Sequence, residues 1–344
     1  MSPYNGPRTR VRGSIAPRPP WQNDRVTSRT VLHHGDVYSS ADPFATAIAF
    51  EGDTVTWVGS DEAAAELGGN QVDLAEDFVT PGFVSAGVDL RDVEVSPAEL
   101  LAAGITTAHV VGESTTVENF AAAAPPGLDI VAYPLGRTDA TGAVGIAELD
   151  PQHLPEHPQF ALVDSPEQLR TALELFQDPV VRTHAQRHGY RLLVGCPVPA
   201  SGVEKLAGHG IPVTLDPTRH EQPLGTMLSA GVQLSFALDP ASPWRSLSAA
   251  VYGAADGISA RAAFNCATRF GLRALGRFEA GVLAPGALAT AVRWEVDGLA
   301  VQVADERVAA WSTDPRSGTP GLPDLTDPES LPRLRTVWVR GTEV

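Results

Sequence analysis

Three observations predict an α/β fold for this chain. From about residue 81 to about residue 283, strand-like apolar stretches alternate with helical ones, the order expected of parallel βα units. The flanks on either side carry short alternating strands instead. The composition suits a packed protein of this class: 344 residues, 43% of them hydrophobic, with Gly and Pro plentiful and aromatics few.

Residues 1–27 are rich in Pro, Arg, Gly and Ser and have no hydrophobic period. Arg8, Arg10, Arg12, Arg18 and Arg25 face a single acid there, Asp24. This composition predicts a flexible extension. Its other reading is an arm that docks on an acidic neighbouring subunit, and so holds a homo-oligomer, or on the body of the protein itself. The chain then turns to strands at Thr30–Tyr38, Ala45–Phe50 and Thr54–Gly59, with Gly52-Asp53 suited to a hairpin turn between the last two. The strands that follow are Thr80–Leu90, the stretch ending in Thr106-Thr107-Ala108-His109, Asp129–Tyr133, Phe160–Asp164, Arg191–Gly195, Pro212–Asp216 and Val232–Asp239. An eighth strand of this series either sits in Ala143-Val144-Gly145-Ile146 or is lost.

Charge and composition exclude several functions. A formal net charge of −16 argues against nucleic acid and anionic membrane as partners. Cys196 and Cys266, the two cysteines, fit a reducing cytoplasm and exclude a disulfide scaffold. No apolar run approaches a membrane span and no secretory h-region is present, so a cytoplasmic protein is expected. There is no P-loop and no dinucleotide-binding glycine fingerprint.

Several phrases, in order, resemble the amidohydrolase superfamily. Thr80-Pro81-Gly82-Phe83-Val84-Ser85-Ala86-Gly87-Val88-Asp89 resembles its first barrel strand, T-P-G-F-V-D-A-H-x-H. Gly104-Ile105-Thr106-Thr107 resembles the second. Asp239-Pro240 stands where the last strand's aspartate is expected, and Ile258–Thr268 resembles the closing helix. Gly281-Val282-Leu283-Ala284-Pro285-Gly286 and Thr336–Gly341 resemble the returning strands of the family's small sheet domain. The resemblance implies a TIM-like (β/α)8 barrel over residues 81–283. A β-sandwich is implied beside it, built from both chain ends, 28–80 and 284–344. The segment from about 113 to 160 is short and Pro-rich, so a trimmed or distorted barrel is expected.

The same resemblance implies a metal site, and the sequence departs from it. The paired histidines of the first strand read Gly87 and Asp89, and Ser85 replaces the preceding aspartate. The fifth-strand histidine position reads Val163 and the sixth-strand one Val194. Lys205, the only lysine, falls on a surface-helix pattern, so no lysine is available to bridge two metals. Asp164 reads as a helix N-cap with Glu167 completing a capping box. Asp239 is the surviving signature carboxylate, either structural or a retained base or ligand. His109, at the end of the second strand, is the histidine best placed to face a pocket. His220 follows the seventh strand; His184 and His188 are spaced i,i+4 but lack the glutamate of H-E-x-x-H. Cys196 reads as a small buried hydrophobe. The implied function is a non-hydrolytic ligand-binding or interaction protein with a degenerate metal site and no resident metal. The alternative is an unusual hydrolase of a small amide or cyclic amide using Asp239 as base, with a single divalent ion such as zinc held by Asp239, Asp89 and His109.

Overall fold

A computed structural model describes residues 29–300 and 320–344. Residues 1–27 and their proposed arm lie outside the described residues. The middle of the chain forms two parallel sheets with strands in sequence order. The first holds Phe83–Asp89, Ile105–Gly112 and Asp129–Pro134. The second holds Gly142–Gly145, Gln159–Val163, Arg191–Val194, Val213–Leu215 and Leu234–Phe236. A parallel bridge between Leu135 and Ala143 couples the two sheets. At the other side the Leu238 N–H donates to Ser85 Oγ at 3.1 Å, so the chain leaving the last strand meets the first. No ladder among the described residues pairs those two strands. The fourth strand of the series is present, in the short stretch Gly142–Gly145.

Helix openings follow local capping chemistry. Ser96 and Glu99 form a reciprocal capping box ahead of Pro97–Ala102, and Asp178 caps Pro179–Arg187. The cap expected at Asp164 is one residue further on. Ser165 Oγ accepts from the Gln168 N–H ahead of Pro166–Leu175, and the Gln168 side chain reaches back to the Asp164 N–H. This leaves the Asp164 carboxylate free for another partner. Lys205 is exposed on the helix Ala200–His209, whose last residue, His209, is buried.

Side-chain alternation along the strands separates an inner from an outer layer. Val111, Tyr133, Ala143, Phe160, Leu162 and Leu193 form one cluster. Ala108, Val110, Ala161, Val163, Leu192 and Val194 belong to another, shared with the helices. Val163 and Val194 therefore face the helices. The inward positions beside them are Leu162 and Leu193, so the register read from the sequence is one residue off on both strands.

The flanking segments build two further sheets. Thr54–Gly59, Ala47–Glu51, Arg29–His33 and Asn70–Asp73 form the first. In the second, Ala291–Glu295 lies between Phe78–Pro81 and Arg333–Val339, so early and late parts of the chain share one ladder. Leu32, Ile48, Phe50 and Val55 of the first sheet bury against Val79, Ala291 and Trp338 of the second in a common cluster. An aromatic knot ties the second sheet to the parallel strands. Trp244 lies 5.9 Å from Phe264, stacked, and meets Phe83 and Trp294 edge-on, while Trp294 Nε1 donates to Thr80 Oγ1. Gly104 (φ 80°) lets the chain turn into the second strand beneath this knot; a Cβ there would stand 2.5 Å from the Trp294 ring.

Candidate functional site

The C-terminal ends of the parallel strands are where α/β barrels place their chemistry. Gly87, Asp89, Asp164, Leu193, Asp216 and Arg219 line a cleft there. Its volume is about 60 Å³, the share of about two water molecules. Small-molecule sites commonly run from about 300 to 1,000 Å³.

Side chains explain why the cleft is so small. A Cβ on Gly87 would lie 2.8 Å from Leu193 Cδ1 and 3.0 Å from Thr214 Cγ2. The space a first-strand histidine would enter is already filled by leucine. Asp89 is held by Arg91, two residues on, whose Nε lies 2.9 Å from Oδ1. The same guanidinium reaches Asp164 at 3.1 Å, and Arg219 reaches Asp92 at 3.0 Å. Asp89 and then Asp164 hold the Arg91 guanidinium above its ordinary basicity, against its partial burial. Neither Arg91 nor Arg219 stands out in the sequence; the only signal is a basic residue two or three places after a strand-end aspartate, Asp89 and Asp216.

A second polar layer lies inside, where Arg191 and His109 are fully buried. Arg191 Nη1 donates to His109 Nδ1 at 2.7 Å, and Nη2 donates to the Ala86 carbonyl at 3.1 Å and to Thr214 Oγ1 at 3.0 Å. Thr214 and Ser235 share a further bond of 2.9 Å, and the guanidinium carbon sits 4.4 Å from the Phe160 ring centroid. An arginine has no acceptor, so His109 Nδ1 must accept and the ring proton resides on Nε2. Burial, reinforced by the Arg191 charge, pushes the His109 pKa well below the ordinary histidine value, which keeps the ring neutral. Burial also lowers the Arg191 pKa, while Tyr133 opposes that shift.

Asp239 occupies a third environment. Its Oδ1 accepts from the Ala241 N–H at 2.9 Å, Oδ2 stands 3.4 Å from Arg245, and its backbone N–H donates to Ser246 Oγ. It faces an open groove of about 490 Å³ with His220, Arg219 and Arg245. Asp89 lines the mouth, His109 lies in the interior and Asp239 lines this groove; among the described residues no described cavity brings the three together. Among the described residues, no three His, Cys, Asp or Glu side chains converge in a way that would hold a metal ion. The donor set does not fit the metal that the sequence resemblance implies.

The other candidates are engaged elsewhere. His184 Nε2 and His188 Nδ1 bond the Pro155 and Glu156 carbonyls at 2.8 Å each, pinning a loop. His220 Nε2 lies 3.0 Å from the Gly195 carbonyl. Cys196 is buried, and burial followed by the nearby Asp164 charge pushes its thiol pKa up, the opposite of an activated nucleophile.

No protein-family model matches this sequence, and no curated protein matches it. Solved structures do. A triazine hydrolase variant superposes with a TM-score of 0.62 at 17% identity, covering 92% of this chain and 94% of its own. A protein described as an amidohydrolase gives 0.55 at 14% identity over 92% and 99%. An adenosine deaminase from Xanthomonas campestris, with bound zinc, gives 0.59 at 13% identity over 91% and 92%. This chain therefore has an α/β fold with parallel sheets like those of the TIM-like amidohydrolases. Among the described residues, no helix is long and apolar enough to cross a membrane.

Proposed function

We propose that this chain is a member of the amidohydrolase superfamily that has exchanged its metal site for packing and ion pairs. It acts as a non-hydrolytic ligand-binding or interaction protein. In this reading the eight parallel strands form a (β/α)8 barrel over residues 81–283, and 28–80 with 284–344 form one composite β-sandwich. The observation that carries the reading is the filled mouth: Leu193 stands where a ligand on Gly87 would project, and Arg91 clamps Asp89 to Asp164. Fold similarity alone carries no activity. The experiment is elemental analysis for Zn, Mn, Fe and Ni after dialysis against a mild chelator. Well under one equivalent of metal per chain is expected, and stoichiometric zinc overturns the reading.

A second reading has one observation in its favour. Asp239 shares its open groove with His220 and Arg245, a carboxylate beside an imidazole and a guanidinium. There it would serve as the base for hydrolysis of a small amide or cyclic amide. Asp239→Asn separates the two readings. A structural carboxylate keeps its Oδ1 acceptor as the amide, so Asn should melt near wild type while Asp239→Ala loses about 1–3 kcal/mol. A base would instead give the wild type a measurable amidase activity that Asn abolishes as fully as Ala does, with the melting temperature of both variants barely changed.

A further inference from the structure

The largest described cavity at the parallel strands lies at the end opposite the mouth. It is a half-open pocket of about 530 Å³ between the first residues of the first three strands and the turn Val339–Thr342. Leu128, Leu272, Val282, Leu288 and Val339 supply apolar walls. The size lies within the range of small-molecule sites, of about 300–1,000 Å³, and junctions between structural units are where such sites concentrate.

Two polar groups at this cavity lack a partner. Thr107, on the inward face with His109, is 7% exposed, and its hydroxyl makes no hydrogen bond to another described residue. Arg340 lines the rim with a left-handed backbone (φ 50°), and its guanidinium makes no ion pair or hydrogen bond to another described residue. Arg277, also at the rim, is neutralised by Asp129 at 2.7 Å. Among the described residues the cavity thus offers apolar walls, a hydroxyl at its inner end and, at its entrance, a cation with no ion-pair partner, on a chain of net charge −16.

We propose that this cavity binds a small amphipathic carboxylate, its apolar body against the valine and leucine walls and its anionic head on Arg340. The site lies on the face opposite the mouth and stands whether or not any chemistry survives there. The test uses 8-anilinonaphthalene-1-sulfonate, a fluorescent amphipathic anion, on the full chain, with octanoate and octan-1-ol as competitors. Saturable binding of one probe per chain is expected, displaced by octanoate at concentrations at least about tenfold lower than octan-1-ol. Arg340→Asn, which tolerates the left-handed backbone, should weaken the probe about five- to tenfold, the range of a partly exposed charged hydrogen bond. Ala280→Trp, which fills the cavity, should abolish binding, and Asp164→Asn at the mouth should change nothing. If Ala280→Trp lowers the melting temperature, Thr342→Glu, which sets a carboxylate at an exposed rim position beside Arg340, should weaken the probe in its place. Unsaturable binding, equal displacement by the alcohol, or undiminished binding in the Arg340 and cavity variants would overturn the proposal.

Discussion

Arg191 and Arg91 both cross between parallel strands, but in opposite surroundings. Arg191 is wholly buried and meets no carboxylate; its partners are a neutral imidazole, a carbonyl, a hydroxyl and an aromatic face. The Arg91 side chain is 29% exposed and meets two carboxylates. A buried cation is costly to leave unpaired, because nothing else nearby can solvate it. A cation at the mouth can always turn to water. The two arginines therefore look alike as contacts and differ in what their loss should cost. The interior layer is a structural commitment, while the mouth clamp mainly decides which carboxylates remain available.

The largest effect should come from stripping Arg191 of its acceptor. His109→Leu leaves Nη1 facing an apolar side chain, and a loss of about 3–5 kcal/mol in chemical denaturation is expected. Adding Arg191→Met removes the stranded charge, so the double variant should recover much of that loss. Additive losses would show that the pair is not coupled. The same layer predicts a pH dependence. The folded pKa of His109 is depressed, by burial, Arg191 and Arg277 in that order. Above the unfolded histidine value of about 6.5 the ring is neutral in both states and contributes nothing to pH dependence. As pH falls below that value the unfolded chain gains a proton that the folded one refuses, and stability drops by up to about 1.4 kcal/mol per pH unit. His209, whose pKa is also lowered by burial, adds in the same direction. Denaturation at pH 7 and pH 5 should therefore show a smaller drop in His109→Leu than in the wild type.

A smaller effect should follow from rebuilding what the first strand lacks. Gly87→His drives a ring into Leu193 and Thr214, and overpacking of this kind costs about 1–3 kcal/mol. Pairing it with Leu193→Ala opens room, so the double variant should be more stable than the sum of the single losses, with coupling of at least about 0.5 kcal/mol. Strict additivity would mean that Leu193 does not occupy the histidine's space.

The sequence carried these features unevenly, for physical reasons. The strand at Phe83–Asp89 and the hairpin at Gly52 are plain from apolar runs and turn chemistry. Inward and outward faces are not plain, because a parallel sheet covered by helices is apolar on both sides. Phe160-Ala161-Leu162-Val163 offers no polar residue to fix its register, so Val163 could be mistaken for an inward position. Asp164 and Ser165 are both good caps, and only geometry shows that Ser165 caps while Asp164 turns to Arg91. The Arg191–His109 bond joins residues 82 apart in sequence and leaves no local trace.

The smallest effect belongs to the mouth clamp. Arg91→Ala frees Asp89 and Asp164, whose side chains are 12% and 49% exposed. Partly solvated pairs are screened and contribute about 0–1 kcal/mol. The expected loss is therefore under about 1 kcal/mol, and it should shrink further when ionic strength rises from 0.05 to about 0.5 M. Removing His109 should show little such salt dependence, since its partner is shielded from counterions. The decisive comparison is the ratio of the two losses at both ionic strengths. A loss for Arg91→Ala equal to that of His109→Leu, unchanged by salt, would mean that the mouth is as dry as the interior and that the clamp holds the strands together. The expected opposite, a small and salt-sensitive loss, leaves the clamp as a local lock on two carboxylates that, once freed, raise the negative charge of the mouth.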